Sequence, residues 1–290
     1  MECKICKSKQ INLIYSGKIR SGTFGKLTSD SHDIFECTKC KTIFLDNSNS
    51  SDFYESKEYR SMYNNSPEFE TYYKLHDELD NQKICKIGIQ NLRNKVVVDS
   101  GAGAGTFIDI ASSVAAKTYA IEPSKLFQKK LIEKHEVYSY GKDLIKSNIK
   151  VDVATSFDVI EHVEDPLNYL KEAFEYLNSG GKLYLLTPNF DDILNDMVKE
   201  DFELFNYRTA HLYYFSYESI KYILTKAGFK NFKISYYHKQ DLSNLLFWLK
   251  DRKPTGKLKN SLFDEEFNDI YSKYLEKKGK ASHLWVEVTK

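Results

Sequence analysis

A chain of 290 residues with 41% hydrophobic residues and only five prolines is long enough to bury a full core and too apolar to stay disordered. Its 42 lysines and arginines are balanced by 41 aspartates and glutamates, so net charge gives no strong attraction to nucleic acid or anionic lipid. No apolar run reaches the about 18 residues that a bilayer span needs, and the first residues form no apolar signal core. The expectation is a cytoplasmic protein with no membrane partner.

The chain opens on two cysteine pairs, Cys3-x-x-Cys6 and Cys37-x-x-Cys40, with 30 residues between them. Each pair can present two thiolates from one tight turn, and two turns complete a tetrahedral metal site that holds together a module too small for its own core. Two disulfides are the alternative, which a cytoplasmic location disfavours. The spacing predicts a zinc ribbon over residues 1–45, with Cys3, Cys6, Cys37 and Cys40 filling every coordination position, so the metal is structural. Cys85 falls in an amphipathic segment and is expected to be buried and inert.

Residues 46–66 are a polar linker followed by an aromatic stretch, and Ser66-Pro67 is a start signal for one helix running from Phe69 to Leu92. Val96 to Phe107 then reads as a short buried strand, an acid and a glycine turn, with a helix from about Thr106. A dinucleotide fingerprint fails here, because its third glycine would fall on Thr106 or Ile108. The pattern Asp99-x-Gly101-x-Gly103-x-Gly105 instead resembles the first motif of class I S-adenosylmethionine-dependent methyltransferases. That resemblance implies that the glycine turn takes the methionine part of the cofactor, with Asp99 near its amino group. A carboxylate suits an ammonium, whereas this cofactor has no pyrophosphate for a helix N-terminus.

The next strand, Lys117 to Ile121, ends in Glu122, 17 positions after Gly105, which is the length of one helix and a return strand. A carboxylate there can accept hydrogen bonds from both ribose hydroxyls; the alternative is a cap for the helix near Ser124. Helices are expected over 106–113 and 124–134, a third strand over 136–140 and a fourth over 151–156. Asp143, after the third strand, stands where an adenine contact would fall, as partner of the exocyclic amine. In such enzymes the segment before the first strand closes over the cofactor, so Tyr54, Tyr59, Arg60 and Tyr63 are lid candidates, Tyr63 also a substrate contact, and 46–94 is read as linker and helical lid. Plain packing is the competing reading of these aromatics.

Phe157 to Pro166 is similar to the "EHV.DP" segment of small-molecule methyltransferases, including the ubiquinone-pathway O-methyltransferases and deoxysugar C-methyltransferases. Phe157 is counted with the cofactor contacts. His162 is the candidate base: methyl transfer is an in-line displacement that needs alignment, and a neutral nucleophile must also lose a proton, which imidazole can take near neutrality. Glu161 would orient the imidazole or the substrate. Two other readings stand. His162 could cap the next helix, or Asp158, Glu161 and His162 could match the Glu-x-x-Glu-His metal positions of ubiquinone-pathway enzymes, with an aspartate replacing the first glutamate.

A helix over 166–178 is expected to end in the turn Asn178-Ser179-Gly180-Gly181, before a fifth strand at 182–187 and the family-like Thr187-Pro188-Asn189. Residues 190–215 read as a long loop, and such loops are usually functional. It carries Arg208 and His211, in an element resembling "HL.YFS", as substrate contacts; His211 is equally read as a satisfied histidine at the start of the helix over 216–228. A sixth strand (229–237), a helical insertion (about 241–280) and an antiparallel last strand (284–288) complete the chain. The lysines and arginine of 249–260, including Lys257 and Lys259, read better as solvated surface than as a phosphate contact.

The expected fold is α/β, a Rossmann-like seven-stranded methyltransferase sheet over 95–290 behind the zinc ribbon. With a cysteine ribbon in front, the chain resembles sugar methyltransferases of surface-polysaccharide and antibiotic biosynthesis. Those that methylate carbon carry a further C-terminal domain, so the resemblance implies transfer to an oxygen or nitrogen of a sugar, nucleotide-sugar or related small metabolite. Ribosomal RNA methyltransferases with a zinc ribbon and a non-catalytic, cofactor-binding regulator are the rival classes.

Overall fold

The computed structural model describes residues 1–22, 24–46, 69–254 and 262–290. Tyr54, Tyr59, Arg60, Tyr63, the Ser66-Pro67 start signal, Lys257 and Lys259 lie outside the described residues. Three strands come first, β1 (Ile11–Gly17), β2 (His32–Cys37) and β3 (Ile43–Leu45). Helix α1 (Phe69–Ile87) ends at Gly88, whose φ of 83° no helix continues, and a 3-10 turn at Ile89–Asn91 leads to β4 (Val96–Ser100). There follow α2 (Thr106–Ser112), β5 (Lys117–Ile121), α3 (Lys125–Leu131), β6 (Glu136–Tyr138), α4 (Gly141–Lys146), β7 (Val151–Phe157), α5 (Pro166–Tyr176) and β8 (Leu177–Pro188). This alternation is the strand-helix repeat that generates a parallel sheet. The chain continues through α6 (Ile193–Met197), α7 (Lys199–Asn206), β9 (Tyr213–Tyr214), α8 (Tyr217–Ala227), β10 (Asn231–Tyr237), α9 (Leu242–Asp251), α10 (Glu265–Lys278) and β11 (His283–Thr289).

Seven strands form one sheet in the order β10-β11-β8-β7-β4-β5-β6. The β4 strand is parallel to both β5 and β7, β5 to β6, and β7 to β8. The start of β8 meets the end of β11, Gly180 N–H donating to Lys290 O at 2.9 Å, so β11 runs antiparallel. This is the Rossmann-like methyltransferase sheet expected from the sequence.

The described residues fall into two compact units. The first takes the described parts of Tyr54–Leu186, with Ile223–Lys233 and Val286–Lys290. Its strands are apolar almost throughout because both faces of a parallel sheet are covered: Val97, Val98, Ala120, Ala154 and Leu185 are fully buried. The Asn178-Ser179-Gly180-Gly181 turn expected after α5 is not a turn. The helix stops at Tyr176, and β8 takes over at Leu177, because Gly180 and Gly181 find strand partners in Lys290, at 2.9 Å each. Cys85, expected to be buried, is exposed, on the outer face of α1.

The second unit takes the described parts of Met1–Phe53, with Thr187–Tyr222 and Ile234–Trp285. Here β1, β2 and β3 form an antiparallel sheet whose fourth strand, β9, comes from far along the chain, pairing Ile43 with Tyr214 and Phe44 with Tyr213. Residues 190–215 are not the long loop expected. They contain α6 and α7, because Leu194, Val198 and Phe202 bury their side chains against Trp248 of α9. Asp241 and Asp264 cap α9 and α10, accepting from Asn244 N–H (2.9 Å) and Phe267 N–H (2.8 Å).

Candidate cofactor and catalytic site

In the first unit the strand order reverses at β4, whose neighbours are β5 on one side and β7 on the other. Ligands of open α/β sheets bind in the crevice beyond the carboxyl ends of strands at such a switch point. The hydroxyl of Tyr169 ties those two ends together, 2.9 Å from Ser100 Oγ and 2.7 Å from Ser156 Oγ.

Beyond Ser100 the chain makes the glycine turn, with Gly101, Gly103 and Gly105 at φ 79°, 54° and 97°. Side chains are excluded at the first two by close neighbours as well as by φ: a Cβ on Gly101 would run into Val159 Cγ2, and one on Gly103 into the Tyr72 hydroxyl. Asp99 is buried at the end of β4 and accepts from Thr155 Oγ1 at 2.6 Å; burial pushes its carboxyl up to about 7. Glu122 lies across the turn, Oε2 accepting from Gly103 N–H at 2.9 Å and Oε1 from Ser124 N–H at 2.8 Å. Burial raises it to about 7 despite those two bonds. Glu122 thus braces the glycine turn and, as its capping reading expects, the start of α3 at once.

Two further charged residues of this site escaped the sequence reading. Asp80 and Lys83 of α1 are both buried and paired at 2.7 Å, and Asp80 also accepts from Thr106 Oγ1 at the start of α2. Burial pulls Lys83 down, but Asp80, Asp158 and Asp99 around it raise it overall. Its ammonium lies 4.9 Å from the centre of the Phe157 ring, which in turn meets Phe107 edge-on at 5.1 Å. On the same helix the Tyr73 hydroxyl donates to Ala104 O at 3.4 Å.

The segment after β7 begins at Asp158, held at φ 57° with its N–H on Leu186 O at 2.8 Å. Glu161 is 1% exposed, and its Oε1 lies 3.8 Å from Nε2 of the partly exposed His162. The cap of α5 is Asp165, whose side chain accepts from Asn168 N–H at 2.9 Å, so the capping position read as an alternative for His162 is filled by another residue. Asp143, in the first turn of α4, pairs with Lys146 at 3.8 Å, and no described contact links it to the glycine turn.

In the second unit Arg208 donates from Nη2 to His211 Nε2, and the His211 ring lies 5.8 Å from that of Tyr214. The four N-terminal thiols gather at one point, all Sγ atoms within 4.8 Å of one another, with Cys3 and Cys40 at 3.6 Å and Cys6 and Cys37 at 3.4 Å. Lys7 and Lys41, the residues after each pair, adopt the same φ of 59° and donate to Cys3 O and Cys37 O at 2.8 Å, so the two turns are copies of one another.

A switch-point crevice that opens on glycine backbone and two buried acids, with no phosphate cradle, belongs to the class I S-adenosylmethionine-dependent methyltransferases. Residues 75–234, more than half of the chain, match the methyltransferase domain family, and the chain belongs to it. The solved S-adenosylmethionine-dependent methyltransferase from Archaeoglobus fulgidus shares the fold, with a TM-score of 0.53 and 17% identity over 77% of this chain and 98% of that one. A curated relative, the mitochondrial ubiquinone biosynthesis O-methyltransferase of Candida albicans, is 28% identical over 124 residues; the match spans 39% of this chain and 38% of the relative. Among the described residues, buried Asp80, Asp99 and Glu122 gather near the Lys83 ammonium, an acidic lining that suits the sulfonium and ammonium of this cofactor. No helix among the described residues is long and apolar enough to cross a membrane.

Proposed function

We propose that the protein methylates an oxygen or nitrogen of a sugar, nucleotide-sugar or related small metabolite, in surface-polysaccharide or secondary-metabolite biosynthesis. Bound S-adenosylmethionine supplies the electrophilic methyl group. Asp99 and the Gly101–Gly105 backbone receive its amino acid end, Glu122 its ribose, and Phe157 and Asp143 its base, while Arg208, His211 and Tyr63 contact the acceptor. His162 Nε2 takes the proton that the attacking hydroxyl or amine loses as its oxygen or nitrogen bonds to the methyl carbon. Glu161, buried with Oε1 3.8 Å from that same nitrogen, steadies the imidazolium that forms.

One observation carries this reading: the carboxylate-backed imidazole follows β7 directly, and β7 pairs Ser156 with Ser100 at the mouth of the glycine turn. A screen of nucleotide-sugars and phosphorylated metabolites, read as S-adenosylhomocysteine release, identifies the acceptor. With it in hand, His162→Ala lowers turnover by roughly a hundredfold while cofactor affinity stays within about twofold of wild type. Wild-type turnover in that variant removes His162 as the base.

A second reading is metal-assisted O-methylation through Asp158, Glu161 and His162; the curated relative, an O-methyltransferase by name, fits it in part and no better than base catalysis. Chelation that stops turnover and magnesium that restores it would establish it in place of base catalysis. The four thiols suit a structural zinc ion independently of either reading. Tetrahedral coordination at about 2.3 Å sets sulfurs about 3.8 Å apart, and the two closest pairs stand at 3.6 and 3.4 Å.

A further inference from the structure

Helix α10 lies in the second unit and is apolar on two sides. Its inner side holds Leu275, buried, and Tyr271, whose ring meets that of His238 edge-on at 5.1 Å. On its outer side Phe267, Ile270 and Tyr274 recur at i, i+3 and i+7, and they are 49, 59 and 58% exposed. That spacing lines three large apolar side chains along one stripe of a helix. Phe263, just before the helix, continues the stripe by stacking on Phe267 with 5.3 Å between ring centres. The apolar surface runs on to α9: exposed Leu262 donates its N–H to Ser243 Oγ at 2.9 Å, and exposed Leu246 follows Ser243 by one turn.

A single exposed apolar side chain is ordinary, whereas a contiguous patch on a water-facing surface marks a contact. The charges beside this patch say what covers it. The first turn of α10 carries Glu265 and Glu266, and its last turn carries Lys277 and Lys278. All four are exposed, and none forms an ion pair among the described residues. Lys277 follows Glu266 by three turns, so the two flank the stripe on the same side. Acids first and lysines last also suit the helix dipole, but the dipole gives no reason for an apolar stripe between them to face solvent. An isologous contact repeats each pairing through a two-fold axis, so a patch that binds itself must complement its own reverse. The outer face of α10 meets that condition. With Ile270 against Ile270 of a second copy in an antiparallel pair, Phe267 falls opposite Tyr274 of that copy, and Lys277 stands about two residues, or about 3 Å, from the level of its Glu266. A parallel pair would set Glu266 against Glu266 and Lys277 against Lys277.

We propose that the face of α10 carrying Phe267, Ile270 and Tyr274 is a homodimer interface, in which two copies of the chain pair their α10 helices antiparallel about a two-fold axis. The interface does not depend on the methyl-transfer reading, since none of its residues has a part in that chemistry. One helix pair with the adjoining leucines makes a small contact, so the dimer is reversible, with a dissociation constant on the order of 10 µM.

Sedimentation velocity on the full chain with zinc present, from about 1 to about 200 µM, provides the test. Wild type should pass from monomer to dimer over that range. Ile270→Asp, which sets two carboxylates against each other at the centre of the contact, should stay monomeric throughout. Because the side chain is exposed, that variant should melt with the wild type at the lowest concentration, where both are monomers. Glu266→Lys and Lys277→Glu should each weaken the dimer by roughly tenfold, and an equimolar mixture of the two should recover wild-type affinity to within about twofold, since every like-charge pair then meets its opposite. A change in folding cannot give that recovery. Wild type that is monomeric at the highest concentration, or Ile270→Asp that dimerises like wild type, overturns the proposal. So does a dimer whose charge variants fail to recover on mixing. Monomeric wild type that binds phosphatidylglycerol vesicles through Ile270 would make the face a membrane contact, and the proposal falls in that case too.

Discussion

Stripping the metal from the four-thiol site should unfold the N-terminal sheet and lower the melting temperature by roughly 10 °C. The strand β3 has only three residues, and each of the turns at Cys3–Cys6 and Cys37–Cys40 is closed by two backbone bonds, at 2.8 and 2.9 Å. A structural zinc ion in a finger peptide contributes about 10–16 kcal/mol at neutral pH. Losing about a third of that shifts the melting point of a domain of this size by the stated amount. Protein purified with zinc should release one ion per chain to a colorimetric chelator. Cys37→Ser should reproduce the loss of stability, and hydrogen exchange should rise in β1, β2 and β3. Metal-free protein that melts with the wild type would dispose of the structural role.

Affinity for S-adenosylmethionine should fall about tenfold for each pH unit below 7. Asp99 and Glu122 are raised by burial from 3.8 and 4.5 to about 7. A carboxyl raised on folding stabilises the free protein in its neutral form, fully below its unfolded value and no longer once the pH passes its folded one. In the proposed role Asp99 receives the cofactor's ammonium and must be ionised to do so, so binding below pH 7 is expected to expel a proton. Calorimetry in two buffers of different ionisation enthalpy reads that proton directly. Asp99→Asn removes a buried charge partner, which costs about 2–5 kcal/mol, or roughly thirtyfold to several thousandfold in affinity. It should also flatten the pH slope, and a variant that retains the wild-type slope would take Asp99 away from the ammonium.

The parts of the site legible in the sequence are those whose chemistry is local. The glycine turn, Glu122 and the two cysteine pairs announce themselves through spacing, because each is made by neighbours along the chain. Asp80 and Lys83 were invisible for the opposite reason: three residues apart on a helix they pass for a solvated pair, and only the packing of α1 beside the glycine turn buries them. At the level of fold, the helical pattern in α6 and α7 is too short to outweigh the loop composition around it until Trp248 packs against both. Gly180-Gly181 mimics a turn until the last strand supplies its partners.

The pairing of Ile43–Leu45 with Tyr213–Tyr214 has a bearing on biosynthesis. All three residues of β3 are apolar and buried in the finished sheet, and their partner strand lies roughly 170 residues further on. At translation speeds of about 5–20 residues per second, the N-terminal segment waits on the order of ten to thirty seconds with a sticky edge uncovered. Early metal capture by the nascent cysteines would shorten the exposure of that edge to neighbouring ribosomes' products.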